Sequence, residues 1–270
     1  MLVIFGSLAA FFFVLERLRP ARAQGFFRDG FVADLLYIPV HYGLRVAFSF
    51  VAADLVARSV RGFLPGGRGL LSKEPLWIQV LVVVVSLDLL FYAMHRMKHR
   101  FGWWWRLHET HHSSETLDFL SATRFHPLEK VLDRAVFLAP LALLDPSETA
   151  LVVWSSIDVF LGMLNHSNVQ LRFGPLRYIF VVPEMHRWHH ARGDEKHGCN
   201  FGNNLSLFDW LLGTAVLPPA PPDRFGLDEP GYPHDDILGQ FAFAFRPAGR
   251  PGLAARLEES RATPEAAARV

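Results

Sequence analysis

Histidine is the residue type best placed to do chemistry in this chain. Eight of its 13 histidines fall into three short words: His95-Arg96-Met97-Lys98-His99, His108-Glu109-Thr110-His111-His112 and His186-Arg187-Trp188-His189-His190. Imidazole is the commonest protein ligand for transition metals. A structural zinc site takes four ligands and a catalytic one three, so eight imidazoles point to two ions rather than one. A four-residue spacing puts His95 and His99 on one face of a helix, and the i, i+3, i+4 spacing does the same within each of the other words. Donors spaced this way converge without straining the backbone. Imidazole suits iron, copper, nickel and zinc alike, so the donors do not name the metal.

A carboxylate accompanies the first word. Asp88 precedes His95 by seven residues and His99 by eleven, which sets it on the same helical stripe, about two and three turns deeper. It either orients a ligand imidazole through its second N–H, contacts a substrate, or makes a helix-packing hydrogen bond. Asp158, two turns before His166, invites the same readings.

The elements that must position these groups are apolar helices. The strongest, residues 76–94, runs straight into the first histidine word and contains one charge, Asp88. It is long enough to approach a membrane crossing of about 20 residues. Residues 2–15 read as a short first membrane helix, stopped by Glu16-Arg17-Leu18-Arg19-Pro20, without the basic start or cleavage site of a secretory signal. Residues 31–57 carry Asp34, His41, Arg45 and Asp54, which must face the bundle or the interface. Residues 131–164 are broken by Asp145-Pro146-Ser147-Glu148, a helix stop followed by a start with Ser147 or Asp145 as N-cap. That break predicts a hairpin of two helices of about 15 residues, roughly 22 Å each. Such a hairpin returns His126 and His166 to the side of the clusters. The basic edge from His95 to Arg106 predicts that this side is cytoplasmic, with Trp103, Trp104 and Trp105 in the interfacial belt.

The expected architecture is therefore all-α: an integral-membrane, multi-pass helical bundle with a cytoplasmic histidine-rich helical cap. Its divisions are N-terminal membrane helices over 1–75, a histidine-box catalytic domain with a membrane hairpin over 76–217, and a loosely packed tail over 218–270. Composition agrees. The chain is 51% hydrophobic with mean hydropathy +0.19, greasy for a soluble domain. Its net charge of +1 gives no electrostatic reason to expect nucleic acid. The single cysteine, Cys199, excludes internal disulfides and cysteine-built zinc or iron–sulfur sites.

The three words resemble the boxes of the fatty acid hydroxylase/sterol desaturase superfamily, integral-membrane non-haem di-iron enzymes. Arg124 to Glu129, Asn165 to Asn168, Asn200 to Gly202 and Phe208 to Thr214 resemble that family too. The resemblance runs from about residue 76 to 214. It implies two iron ions, replaceable by zinc on purification, held by His95, His99, His108, His111, His112, His166, His186, His189 and His190. It further implies O₂-dependent hydroxylation or desaturation of a sterol- or fatty-acyl-type lipid. In one branch a further histidine follows the His166 position by four residues. Gln170 stands there in this chain, which implies fewer imidazoles or an extra water on one metal. His126 and His197 are expected behind the ligands or as local structural groups. The sequence has no Gly-x-Gly-x-x-Gly fingerprint and no cysteine cluster, so a separate reductase or ferredoxin-like donor is expected. A metal-dependent membrane hydrolase and a non-catalytic metal-binding membrane protein are the competing readings of the same residues.

Overall fold

The computed structural model describes residues 2–44, 69–71, 73–193 and 198–246. Among these residues every regular element is helical, and pairing of extended backbone is limited to three isolated bridges. The helices are α1 (Leu2–Leu18), α2 (described over Phe31–Leu44), α3 (Leu76–Arg100), α4 (Gly102–His112), α5 (Pro127–Leu144), α6 (Glu148–His166), α7 (Pro183–His189), α8 (Leu207–Leu211) and α9 (Ile237–Phe243). His197 and the part of the second apolar stretch beyond residue 44 lie outside the described residues.

Helix α3 is the spine, packed against α4, α5 and α6. Its two faces differ as the sequence requires. Trp77, Leu81, Val85 and Leu89, four residues apart, form an exposed apolar stripe, while Val83, Leu87, Asp88, Tyr92, His95 and His99 are buried. Among the described residues α3 is the one helix long and apolar enough to cross a membrane. Only 28% of its apolar window is buried, so most of that surface faces outward. In a soluble protein that surface would be desolvated against other helices.

The hairpin forms where the Asp-Pro-Ser-Glu break stands. Asp145 adopts the left-handed conformation (φ 49°, ψ 54°) that ends α5, and the Ser147 hydroxyl caps α6 by accepting from Ala150 N–H at 3.2 Å. Both helices exceed the 15 residues expected, at 18 and 19. The His126 ring caps α5 by accepting from Leu128 N–H at 3.1 Å, which starts the helix four residues earlier than hydropathy alone places it. Asp34 faces inward: it accepts from Arg28 Nη2 and Arg124 Nε, each at 2.6 Å, and ties α2 to the segment behind the second histidine word.

The tail departs from its expected loose packing through residue 246. Gln240 is fully buried and accepts from the Tyr37 hydroxyl at 2.6 Å. Arg246 forks onto Glu109 of α4 at 2.5 and 3.1 Å. The Pro- and Gly-rich composition describes its irregular path, not weak attachment.

Candidate metal centre

The structure brings all nine expected ligands together, in two adjacent buried groups. His95, His99, His108, His112 and His189 form one; His111, His166, His186 and His190 form the other. Within each group the candidate donor atoms lie within 4.8 Å of one another. The sequence words do not map one-to-one onto the groups. At about 100° per residue, the first and last histidines of a His-x-x-His-His word lie about 40° apart, and the middle one swings about 60° to the other side. Each word therefore splits. His108 and His112 serve the five-histidine group while His111 serves the other; His186 and His190 serve the four-histidine group while His189 crosses back. The groups touch where the His112 and His190 rings stack at 4.4 Å.

The donor set fits metal ions on two observations. First, Nε2 atoms approach pairwise at 3.0 Å (His95–His108, His186–His190), 3.1 Å (His166–His186), 3.2 Å (His108–His112) and 3.4 Å (His111–His166). Donors about 2.0–2.1 Å from an ion lie about 3.0 Å apart at right angles and about 3.4 Å apart at the tetrahedral angle. Second, proton placement leaves lone pairs facing each other. His95 Nδ1–H donates to Phe201 O at 2.8 Å and His108 Nδ1–H to Glu129 Oε1 at 2.8 Å. His111 Nδ1–H donates to Arg124 O at 3.2 Å and His166 Nδ1–H to Gly162 O at 2.9 Å. A neutral imidazole has one N–H. The Nε2 atoms of His95 and His108, and of His111 and His166, then confront each other as bare acceptors, which repel unless a cation lies between them.

Electrostatics hold the rings in that neutral form. Burial first, then neighbouring imidazoles, push His111, His112, His186 and His190 well below the ordinary histidine value of 6.5. Burial also lowers His108, against the opposing pull of Glu129. A metal ion would bind such neutral rings without first displacing a proton.

A second layer of polar groups fixes the rings. Glu129 is fully buried on α5. Its Oε1 takes both the His108 proton and a 2.8 Å bond from Lys98 Nζ, which also reaches the Asp133 carboxylate at 2.7 Å. This is a carboxylate–histidine arrangement of the kind that orients ligating imidazoles. Loop 199–205 does the same with its backbone, Cys199 O accepting from His189 Nδ1–H at 2.8 Å and Phe201 O accepting from His95. The loop is held in turn by two buried carboxylates. Asp88 accepts from the Asn204 and Leu205 N–H groups at 2.9 and 2.8 Å, and Asp209 from those of Phe201 and Gly202 at 2.7 and 2.8 Å. A Cβ on Gly202 would sit 2.5 Å from Leu205 O, so only glycine fits this tight turn. Asp88 thus reaches the imidazoles through the loop, not by a bond to a ring.

The remaining candidates are placed as follows. Gln170 is exposed, outside both groups. His126 spans Leu128 N and Phe241 O (3.2 Å), a local structural role. Asp158 accepts from Asn203 and Asn204 side-chain amides at 2.7 and 3.3 Å. Sequence reasoning gave no role to Lys98, Glu129 or Asp133. The signal was present: Glu129 and Asp133 are four apart on one helix, and Lys98 sits inside the first histidine word. A cavity of about 190 Å³ opens onto both groups, reaching His95 and His108 of one and His111, His166 and His186 of the other, with Asp88 in its wall.

The sequence profile of the fatty acid hydroxylase family matches residues 80–214, half of the chain, and spans every one of the nine histidines. The chain belongs to the fatty acid hydroxylase family. Relatives of this chain include ornithine lipid hydroxylase OlsE of Rhizobium tropici, 33% identical over 201 residues, covering 72% of this chain and 60% of that protein. Alkylglycerol monooxygenase of Homo sapiens is 32% identical over 130 residues, covering 48% of this chain and 29% of that one. A very-long-chain aldehyde decarbonylase of Oryza sativa subsp. indica is 27% identical over 174 residues, covering 56% and 26%. The chain thus spans from about a quarter to 60% of the length of these family relatives. No solved structure matches it.

Proposed function

We propose that this protein is a membrane-bound, O₂-dependent lipid hydroxylase that holds two non-haem iron ions in the five- and four-histidine groups. The observation that supports it best is the pairing of bare Nε2 atoms at 3.0–3.4 Å in two adjacent buried clusters. Iron bound there supplies the redox chemistry by which O₂ oxidises an unactivated C–H bond. Hydroxylation consumes O₂, two electrons and two protons, placing one oxygen atom in the lipid and one in water. The reaction needs a source of two electrons, for which a separate reductase or ferredoxin-like protein is our proposal. Hydroxylation is favoured over desaturation by the names of the relatives, a hydroxylase and a monooxygenase.

In this reading the chain's residues divide their tasks. The nine imidazoles hold metal. Glu129 and loop 199–205 keep the Nδ1 protons outward and the Nε2 lone pairs inward. Asp88 acts as a positioning residue through that loop. The cavity between α3, α5 and α6 admits substrate beside the clusters and excludes bulk water from them. The exposed stripe of α3 faces lipid, the hairpin lies in the bilayer, and the basic edge of α3 keeps the histidine cap on the cytoplasmic side.

Comparative lipidomics of cells with and without the gene, grown under isotopically labelled dioxygen, tests the proposal. A lipid carrying one labelled oxygen, present only with the gene, is expected. Identical lipid profiles overturn it, and so does product formed without O₂, which is the outcome a metal-dependent hydrolase gives.

A further inference from the structure

A cavity built for hydrocarbon alone has no use for ionic walls, because an alkyl segment leaves each polar group it covers without a partner. The cavity beside the histidines is ionic on both sides. On the α5 wall, Lys130 places its ammonium 3.2 Å from the centre of the Phe125 ring, and that ring stacks on His111 at 4.5 Å and 6°. Lys130 thus stands one aromatic ring from the four-histidine group. Its separation from Asp133 is 4.0 Å, the outer limit of an ion pair, and Asp133 is already engaged by Lys98 at 2.7 Å. Arg134, one residue beyond Asp133, adds positive charge to the same wall. On the α6 wall Asp158 uses Oδ1 to accept from two asparagine amides, which are neutral donors. The third carboxylate of the cavity, Asp88, is taken by two backbone N–H groups.

We propose that this cavity binds a zwitterionic lipid head group, Lys130 holding its acidic group and Asp158 its ammonium. The carbon oxidised then lies in the head group or beside it, not far along an acyl chain. The inference rests on reading the cavity as the substrate site of a lipid oxidase. Two lipid classes share the chemistry: amino-acid-headed lipids, with carboxylate and ammonium, and phosphatidylethanolamine, with phosphate and ammonium.

The experiment is lipid binding to the purified, metal-loaded full chain in detergent, without O₂ or reductant, followed by native mass spectrometry. The probes are ornithine lipid, phosphatidylethanolamine, phosphatidylglycerol and diacylglycerol. One zwitterion, at least, is expected to bind about tenfold or more tighter than diacylglycerol, the scale of one charge-assisted hydrogen bond. Which zwitterion binds tighter identifies the acidic group. Asp158→Asn is expected to weaken the zwitterions about tenfold while leaving phosphatidylglycerol unchanged. Lys130→Met is expected to weaken the zwitterions and phosphatidylglycerol alike, and Lys130→Arg to restore both. Equal binding of zwitterions and diacylglycerol overturns the proposal, as does a uniform loss for all four lipids in variants that keep wild-type metal content and unfolding temperature. Head-group preference without O₂-dependent turnover would remove the oxidase reading and leave the site; turnover without the preference would do the reverse.

Discussion

Glu129→Gln is the substitution that separates the two histidine groups most sharply. Glu129 touches only one of them, through a 2.8 Å bond from His108, and is fully buried with Lys98 on the same oxygen. Glutamine keeps the shape and one acceptor oxygen but removes the charge. Removing one partner of a buried ion pair costs about 3–5 kcal/mol. Asp133, 2.7 Å from the same Lys98 Nζ, retains part of that attraction, so a loss at or somewhat below the lower bound, about 2–3 kcal/mol, is expected. Losing the carboxylate behind a ligating imidazole lowers metal affinity about 10–100-fold, or about 1.4–2.7 kcal/mol. The assay is graded chelator challenge of the iron-loaded protein, with metal counted by mass spectrometry and unfolding followed in parallel. Wild type should release its two ions at similar chelator concentrations. The variant should release one ion at a chelator concentration lower by that factor and keep the other. Asp133→Asn serves as the control: it weakens the Lys98 pair without touching an imidazole, and should lower the unfolding temperature without selective metal loss. Release of both ions together from Glu129→Gln, at the wild-type concentration, would refute the assignment of Glu129 as the group that orients His108.

Three further outcomes follow from the same geometry. His189→Ala and His111→Ala each remove one donor from a different group, and both are expected to abolish turnover while the protein still inserts in membranes; full activity in either contradicts its place in the centre. Asp88→Asn leaves a backbone N–H of loop 199–205 facing an amide N–H, for a loss of about 1–3 kcal/mol, read as faster hydrogen exchange at Asn204 and Leu205 together with reduced activity; unchanged exchange contradicts the loop-holding role. The pH dependence has a definite sign. Histidines whose folded values lie below 6.5 bind protons in the unfolded chain first, so stability is fully present above 6.5 and falls as the pH drops below it. The unfolding temperature of the metal-free protein should decline steeply from 6.5 toward about 5, and a flat profile there would show that these rings are not held neutral by burial.

Much of this centre is legible in the sequence, because helical spacing is a local property. The three words nominate eight of the nine candidate ligands, His166 being nominated only by the family resemblance, and Asp-Pro-Ser-Glu suffices to place the hairpin turn that brings His166 back. Helical spacing separates the middle histidine of each His-x-x-His-His word from its neighbours, but the words do not reveal which histidines of one word join which of another. His111 and His189 each leave their neighbours for the opposite group, and that exchange depends on how α4 and α7 face one another across α3 and α6. The support behind the ligands is hidden for the same reason. The Lys98–Glu129 pair spans 31 residues and the Asp88–Leu205 bond 117, so neither produces a periodic signal. Asp88 shows the limit well: its stripe placed it on the correct face, but only the fold shows that it grips a loop and not a ring. The tail misleads in the other direction, since proline and glycine set its shape while Gln240 and Arg246 fix it to the core.

The central claim is that nine imidazoles hold two ions, five around one and four around the other. A structure of the iron-loaded protein with anomalous scattering at the iron edge tests it directly. Two peaks are expected, one among His95, His99, His108, His112 and His189, the other among His111, His166, His186 and His190. A single peak, or iron density elsewhere with the imidazoles hydrogen-bonded only to one another, would contradict it.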